Sequence, residues 1–115
     1  MKVNGKRVFL SGPMSGISHY NAQAFLDAHV MLKEAGALSV YDPAIEWLES
    51  DEDHDHAYWM RKCLRELTAD WPFNLCRGYD ILVQLPGWED SVGASTEYEV
   101  AKACGIAVCE LSEVE

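Results

Sequence analysis

Short apolar runs alternate with amphipathic segments along the chain, and this alternation predicts strands followed by helices. The runs with the length and composition of strands lie at 7–10, 38–41, 80–85 and 106–109. The segments with apolar residues at helical spacing lie at 21–35, 56–68 and 94–104. Because strands alternate with helices, we expect right-handed crossovers, a mostly parallel sheet and a ligand site beyond the carboxyl ends of its strands.

Individual residues support these element boundaries. Gly36 is suited to end the first helix, and Asp55 can cap the second. The apolar face of the first helix consists of Phe25, Ala28, Leu32 and Ala35. The apolar face of the second helix consists of Met60, Leu64 and Leu67. Residues 46–56 are acidic and lack clear periodicity, so we expect a loop there, with room for one short turn.

The composition is that of one ordinary globular domain. The chain has 115 residues, of which 49% are hydrophobic and 24% charged, so we expect a single domain over residues 1–115. The net charge of −10 argues against a nucleic-acid partner, since phosphate backbones require clusters of Lys and Arg. The apolar runs are too short to span a membrane, so no membrane partner is expected.

The cysteines are typical of a reducing compartment. Cys63, Cys76, Cys104 and Cys109 form no CxxC pair, and no signal peptide is recognisable. We therefore expect free thiols and a cytoplasmic protein. Cys63 is interpreted as a small buried hydrophobe rather than a reactive thiol.

The loop after the first predicted strand is rich in residues that allow close backbone approach. It consists of Ser11, Gly12, Pro13, Met14, Ser15 and Gly16. Successive amide groups in such a loop can hold an anion, although the loop lacks the GK[ST] ending of a Walker A motif and the GxGxxG of dinucleotide sites. A tight strand-to-helix turn without a ligand explains the same residues equally well.

The loop after the third predicted strand carries hydroxyl groups and a carboxylate at the start of a helix. Ser91 and Gly93 precede Glu97, which we place in the first helical turn. Free N–H groups and hydroxyls there suit a phosphate or carboxylate ligand, and the positive helix end favours an ionised Glu97. Alternatively, Glu97 only offsets the helix dipole while Ser91 or Ser95 caps the helix. Trp88 either stacks on a base or gates the pocket, or it packs against the protein.

A metal site is not expected. Asp53, His54, Asp55 and His56 are neighbours in the acidic segment, but zinc ligands usually come from spaced positions on fixed elements. A solvated loop is the better interpretation of these residues.

Three segments carry a resemblance that covers nearly the whole chain. These are FLSGPMSG at 9–16, YDPA at 41–44 and LPGWEDSVGASTE at 85–97. They resemble a family of small phage and bacterial proteins of uncharacterised function. That family is similar to the nucleoside 2-deoxyribosyltransferase superfamily, which includes the 2′-deoxynucleoside 5′-phosphate N-hydrolases. The sharpest match is S-x-G-x-x-x-E-x-x-x-A, formed by Ser91, Gly93, Glu97 and Ala101.

The resemblance implies a flavodoxin-like, three-layer α/β domain with a mostly parallel sheet of four to five strands. It also implies cleavage or transfer at the N-glycosidic bond of a nucleoside or nucleoside 5′-monophosphate, with Glu97 attacking the sugar C1′. By position, Ser91 and the Gly93 amide would hold a 5′-phosphate or sugar hydroxyl. The 11–16 loop would contact base or phosphate, and Asp80 would help to order the site. No cofactor is implied, and a homo-oligomer is expected, because a neighbouring subunit often completes the pocket in the related enzymes.

Two positions differ from the superfamily pattern. Phe9 stands where a tyrosine is usual, and Cys63 stands where related sequences often carry the aspartate that would protonate the leaving base. Asp42, Glu89 and Asp90 are the candidates to replace that aspartate. These differences favour the alternative of a non-catalytic protein that senses or sequesters a nucleotide. A structural oligomer without a small ligand is the third possibility.

Overall fold

A computed structural model describes residues 1–49, 54–69 and 78–115. The strands are β1 (Arg7–Ser11), β2 (Ser39–Tyr41), β3 (Ile81–Gln84) and β4 (Ala107–Glu110). The helices are α1 (Ala22–Glu34), α2 (Pro43–Glu49), α3 (His56–Leu67) and α4 (Val92–Ala103). Short 3-10 turns lie at Ser18–Asn21, Trp88–Asp90 and Leu111–Glu113.

The strands form one parallel sheet in the order β2-β1-β3-β4. Val8 pairs with Ile81 across β1 and β3, and Ile81 pairs with Ala107 across β3 and β4. This is the flavodoxin-like order, in which the chain moves from β1 to one side of the sheet and then crosses to the other. The predicted α/β class, parallel sheet and three-layer arrangement are therefore confirmed, with four strands among the described residues.

Residues of β1 alternate between the two faces of the sheet because successive side chains in a strand point in opposite directions. Val8 and Leu10 pack with the apolar face of α1, on what we call the α1 face. Phe9 packs on the opposite side, the α3/α4 face, with apolar residues of those two helices. The α1 residues in the first cluster are Phe25, Ala28 and Leu32, as the sequence predicts.

Two helix boundaries follow the sequence closely. Gly36 has φ +97° after the end of α1, a value that favours glycine, and its N–H donates to Lys33 at 3.0 Å. The next amide, of Ala37, donates to Leu32 at 3.0 Å, which completes a Schellman motif. Asp55 caps α3, since its carboxylate accepts from the Tyr58 amide at 2.8 Å.

The sequence predicted a loop over 46–56. This is wrong for 46–49, which belong to α2 (43–49), and α3 begins at His56. Residues 54 and 55 lie outside these helices, as predicted. Pro43 occupies the first helical position, where its fixed φ is favourable and its missing N–H costs nothing. Asp42 stabilises that turn by accepting from the Ala44 amide at 3.0 Å. Residues 50–53 lie outside the described residues.

The buried face of α3 is rotated by about one residue from the prediction. Its buried residues are Trp59, Cys63 and Leu67, whereas Met60 and Leu64 are half-buried. Trp59 is buried against Trp47 of α2, and the apolar stripe alone did not determine which side of the helix faces inward.

The described cysteines Cys63, Cys104 and Cys109 are free thiols, and Cys76 lies outside the described residues. Within the described ranges, no helix combines the length and apolar character that crossing a bilayer requires.

Candidate functional site

A cleft opens at the carboxyl ends of β1 and β3, where the strand order reverses and the two following loops diverge. We call it the switch-point cleft. The predicted site residues that line it are Gly12, Met14, Ser15, Ser91, Gly93 and Glu97. Both chemically unusual loops of the sequence therefore meet at one place in the structure.

Glu97 is the buried acid of this cleft. It projects from α4 and is only 6% exposed, and its Oε1 accepts a hydrogen bond from Ser11 Oγ at 2.7 Å. Ser11 ends β1 on the α3/α4 face, so strand alternation aims its hydroxyl at α4. Ser11 is fully buried beneath Glu97 and is not itself part of the cleft lining.

Burial raises the pKa of Glu97 from 4.5 to about 7, although hydrogen bonds with Ser11 and Cys63 act in the opposite direction. The expectation that the helix start would favour the ionised form is therefore wrong in its net effect. α4 begins at Val92, so Glu97 is its sixth residue, and the helix dipole acts mainly on the first turn. The capping alternative for Ser91 is confirmed, because its hydroxyl accepts from the Ala94 amide at 3.2 Å.

Cys63 links Glu97 to the hydroxyl group of Tyr41 on β2. Its thiol is in hydrogen-bond contact with Glu97 and with the hydroxyl of Tyr41, which donates to Glu46 Oε2 at 2.7 Å. Burial raises the pKa of both Cys63 and Tyr41, so both groups remain protonated. Cys63 is thus a buried hydrogen-bonding thiol rather than a nucleophile. Tyr41 pairs with Phe9 in register and brings a hydroxyl into this network where Phe9 has none.

An aromatic wall that the sequence did not assign to the site borders the cleft. Trp47 of α2 and Trp59 of α3 both line it, with ring centroids 4.8 Å apart and planes tilted by 31°. The indole Nε1 of Trp47 is buried and has no hydrogen-bond partner among the described residues. Trp47 was missed because its segment lacked periodicity, and without an assigned helix no face could be predicted.

His56 and Met60 of α3 also line the cleft, and neither was predicted as a site residue. Both lie against the start of α4: a Cβ atom built on Gly93 would be 3.6 Å from His56 Cε1 and 3.7 Å from Met60 Sδ. A methyl group at position 93 would therefore be in van der Waals contact with both side chains. Among the described residues, no group of His, Cys, Asp and Glu side chains is arranged to hold a metal ion, and Asp53 lies outside them.

The cleft has a volume of about 40 Å³. This volume holds water molecules, whereas pockets for drug-sized ligands span about 300–1,000 Å³. A nucleoside therefore fits only if side chains that line the cleft move outward.

Besides Ser11, four predicted site residues do not line the cleft. The carbonyl group of Pro13 accepts from Asn21 Nδ2 at 3.0 Å, and Gly16 turns the chain with φ +78°. Trp88 lies in a separate groove beside β4, where its ring centroid is 4.8 Å from that of Tyr98. This contact corresponds to the packing alternative for Trp88.

The fourth, Asp80, lies at the amino end of β3, and its Oδ2 accepts from the Arg7 amide at 2.8 Å. Arg7 begins β1, so this contact lies at the amino ends of the strands, whereas Glu97 lies at their carboxyl ends. Asp80 therefore orders the start of the sheet and is not brought together with the cleft.

The carboxylates considered as replacements for the missing aspartate also lie outside the cleft lining. Asp42 is 3.2 Å from His29 Nδ1, and Glu89 and Asp90 are exposed in the turn before α4. Carboxylate chemistry in the described cleft is thus confined to Glu97.

One family model matches the chain, and its description is "Domain of unknown function (DUF4406)". The match covers residues 6–110, which include both loops of the cleft and all of α4. No curated protein and no solved structure matches the chain. The chain therefore belongs to the DUF4406 family.

Proposed function

We propose that the protein cleaves or transfers the N-glycosidic bond of a nucleoside or nucleoside 5′-monophosphate, with Glu97 as the nucleophile. The observation that carries the proposal is the buried Glu97 carboxyl group, which lines the switch-point cleft and is held at 2.7 Å by Ser11. The resemblance of the Ser91–Gly93–Glu97 pattern to the nucleoside 2-deoxyribosyltransferase superfamily supplies the reaction class, which the DUF4406 description leaves open.

The surroundings of Glu97 suit a carboxylate that attacks carbon. A pKa of about 7 leaves a large ionised fraction near neutral pH, and desolvation makes that carboxylate a stronger nucleophile than one in water. The contacts with Ser11 and Cys63 orient the group. In the proposed reaction one carboxylate oxygen bonds to C1′ as the base leaves, and water or a second base then releases the sugar.

The remaining cleft residues suit the other parts of a nucleoside. The Trp47 and Trp59 rings offer a surface for a planar base, and the unpartnered Nε1–H of Trp47 is a donor for a base carbonyl or ring nitrogen. A buried donor without a partner costs about 1–3 kcal/mol, which a ligand acceptor would recover.

The start of α4 suits the sugar hydroxyl or a 5′-phosphate. Ser91 and the Gly93 amide lie at its first turn and border the cleft, where backbone N–H groups favour anions. No Lys or Arg is among the cleft-lining residues in the described ranges, so the electrostatic attraction for a multiply charged phosphate chain is weak. This favours a nucleoside or a monophosphate.

A non-catalytic nucleotide-binding protein is the second candidate. The observation that favours it is the location of Asp42, Glu89 and Asp90, none of which lines the cleft to protonate a leaving base. In that case the Trp47–Trp59 wall and the α4 start would bind a nucleotide without cleaving it.

Assaying released base from a panel of deoxynucleosides, ribonucleosides and their 5′-monophosphates tests the proposal. We expect release by the wild type, a loss on the order of 10³-fold or more in Glu97→Gln, and little change in Glu99→Gln. Glu99 is an exposed residue of the same helix and is therefore a matched control.

Tight nucleotide binding by calorimetry with no release over hours would replace the enzyme with the binding protein. Neither release nor a ligand-induced rise in melting temperature would leave only a structural role.

A further inference from the structure

The departing base of a nucleoside needs a proton, and the cleft offers few groups that can supply one. Among the described lining residues, the titratable side chains are Glu97, Cys63 and His56. Glu97 is engaged as the proposed nucleophile, and Cys63 is engaged with Glu97 and Tyr41. His56 is the remaining group.

His56 is held at the edge of the cleft by the start of α3. It is the first residue of that helix, directly after the Asp55 cap, whose hydrogen bond to Tyr58 anchors the first turn. The ring lies over α4 at Gly93, with Cε1 3.6 Å from the position of a Cβ there.

Glu97 lies on the same face of α4 as Gly93. The two residues are four positions apart, so they are separated by about 6 Å along the helix axis and face the same side. The ring of His56 therefore borders the cleft roughly one helical turn before the position of Glu97 along α4. In retaining glycosidases the attacking group and the proton donor are about 5–5.5 Å apart, on either side of the bond that breaks.

We propose that His56 is a catalytic residue, the general acid that protonates the leaving base while Glu97 attacks C1′. This inference depends on the proposed N-glycosidic reaction. His56 would take the role of the aspartate that related sequences often carry at the position of Cys63. Its geometry is the position of the imidazole over Gly93, four residues before Glu97 on the same helix.

The bonds and protons of this reaction balance without a cofactor. A Glu97 oxygen forms a bond to C1′ as the C1′–N bond breaks, and the electron pair passes to the base. The imidazolium of His56 gives its proton to the base, which leaves neutral. Neutral His56 then takes a proton from water as the water oxygen attacks C1′ and the ester bond to Glu97 breaks.

Glu97 of α4 and Cys63 of α3 share the cleft with His56, and Asp55 precedes it in the chain. The two forms that the reaction requires, a carboxylate and an imidazolium, carry opposite charges and attract each other.

The test compares two substrates in His56→Gln. One is a natural purine 2′-deoxynucleoside, and the other is its N7-methylated form, whose cationic base leaves neutral without a proton. We expect kcat to fall about 10²–10⁴-fold on the natural substrate and less than about tenfold on the methylated one. His29→Gln, which changes a histidine outside the cleft lining, serves as the matched control and is expected to match the wild type.

Equal losses on both substrates would overturn the general-acid role and leave His56 as a packing residue. A rise in KM confined to 5′-monophosphates would overturn it in favour of phosphate binding. If the wild type releases no base from either substrate, or if Glu97→Gln remains active, the proposed function itself fails. Normal release with unchanged kcat in His56→Gln would refute only the inference about His56.

Discussion

The two faces of the sheet differ in the polarity of the side chains that they bury. On the α1 face, Leu10 and Val83 are fully buried among apolar residues from end to end of the strands. On the α3/α4 face, Phe9 and Leu82 are equally apolar, but the next residue of β1 on that side is Ser11, which donates to the buried Glu97. Along β1 and β3, one face is therefore apolar throughout, and the other becomes polar at the carboxyl end.

This difference shows how a small domain combines a core with a reactive group. Burying a carboxyl group is unfavourable unless donors surround it, and Ser11 and Cys63 supply them on the α3/α4 face. Along β1 and β3, the α1 face buries only apolar side chains, which contribute stability through packing. Substitutions on the two faces should therefore separate effects on stability from effects on chemistry.

The largest effect on stability is expected from the apolar face. Leu10→Ala removes a fully buried side chain and should lower the free energy of unfolding by about 2–5 kcal/mol. The residual folded protein should keep its proposed base-release rate, since Leu10 points away from Glu97. Urea denaturation followed by fluorescence measures the first quantity. A variant with wild-type stability would contradict the assignment of Leu10 to a tightly packed core.

The buried carboxyl group of Glu97 should make stability depend on pH in the opposite sense from a salt-bridged acid. Between pH 4.5 and about 7 the unfolded chain loses this proton while the native protein keeps it, so stability falls as pH rises through that window. Relative to Glu97→Gln, the wild type should lose on the order of 3 kcal/mol between pH 4.5 and pH 8.

Unfolding free energies of the wild type, Glu97→Gln and Glu99→Gln across this pH range measure the contribution of Glu97. Glu99→Gln changes the net charge by the same amount, so it controls for the general effect of charge. Parallel curves for the wild type and Glu97→Gln would show that the carboxyl group ionises as freely as in water.

The smallest effect is expected from the hydroxyl group that holds Glu97. Ser11→Ala removes the donor at 2.7 Å and should raise the pKa of Glu97 further, because that hydrogen bond favours the carboxylate. Base release at pH 7 should fall by about tenfold, roughly 1.4 kcal/mol, and recover in part at higher pH. A pH–rate profile checks this. An unchanged profile would mean that Ser11 does not tune Glu97, whatever the rate.

Much of the fold followed from local patterns. The strand–helix alternation, the glycine after α1 and the Asp55 cap act over a few residues, and each was predicted where the structure has it. α2 was not, because the signal lay in the Asp42–Pro43 pair rather than in apolar periodicity. The predicted position of the site, beyond the carboxyl ends of the strands, rests on topology and agrees with the switch-point cleft.

The membership of the cleft was predicted only in part. Ser91, Gly93 and Glu97 are close in sequence and share one helix start, so their proximity could be predicted. Trp47 and His56 come from other elements, and their side chains reach the cleft only because of how α2 and α3 pack. Asp80 is the opposite case, because it was predicted as a site residue and does not line the cleft. A residue next to a buried strand can lie at either end of that strand, and the cleft lies at the carboxyl end.

The sequence by itself determined the order of strands and helices, the helix ends and the edge of the sheet where a ligand would approach, because these depend on short-range sterics and hydrogen bonds. Only the tertiary structure determined the burial and the pKa of Glu97. Its partner Ser11 is 86 positions away along the chain, and burial between α3, α4 and β1 raises its pKa to about 7. Desolvation is a property of everything packed around a group, so the residues adjacent to it in sequence do not reveal it.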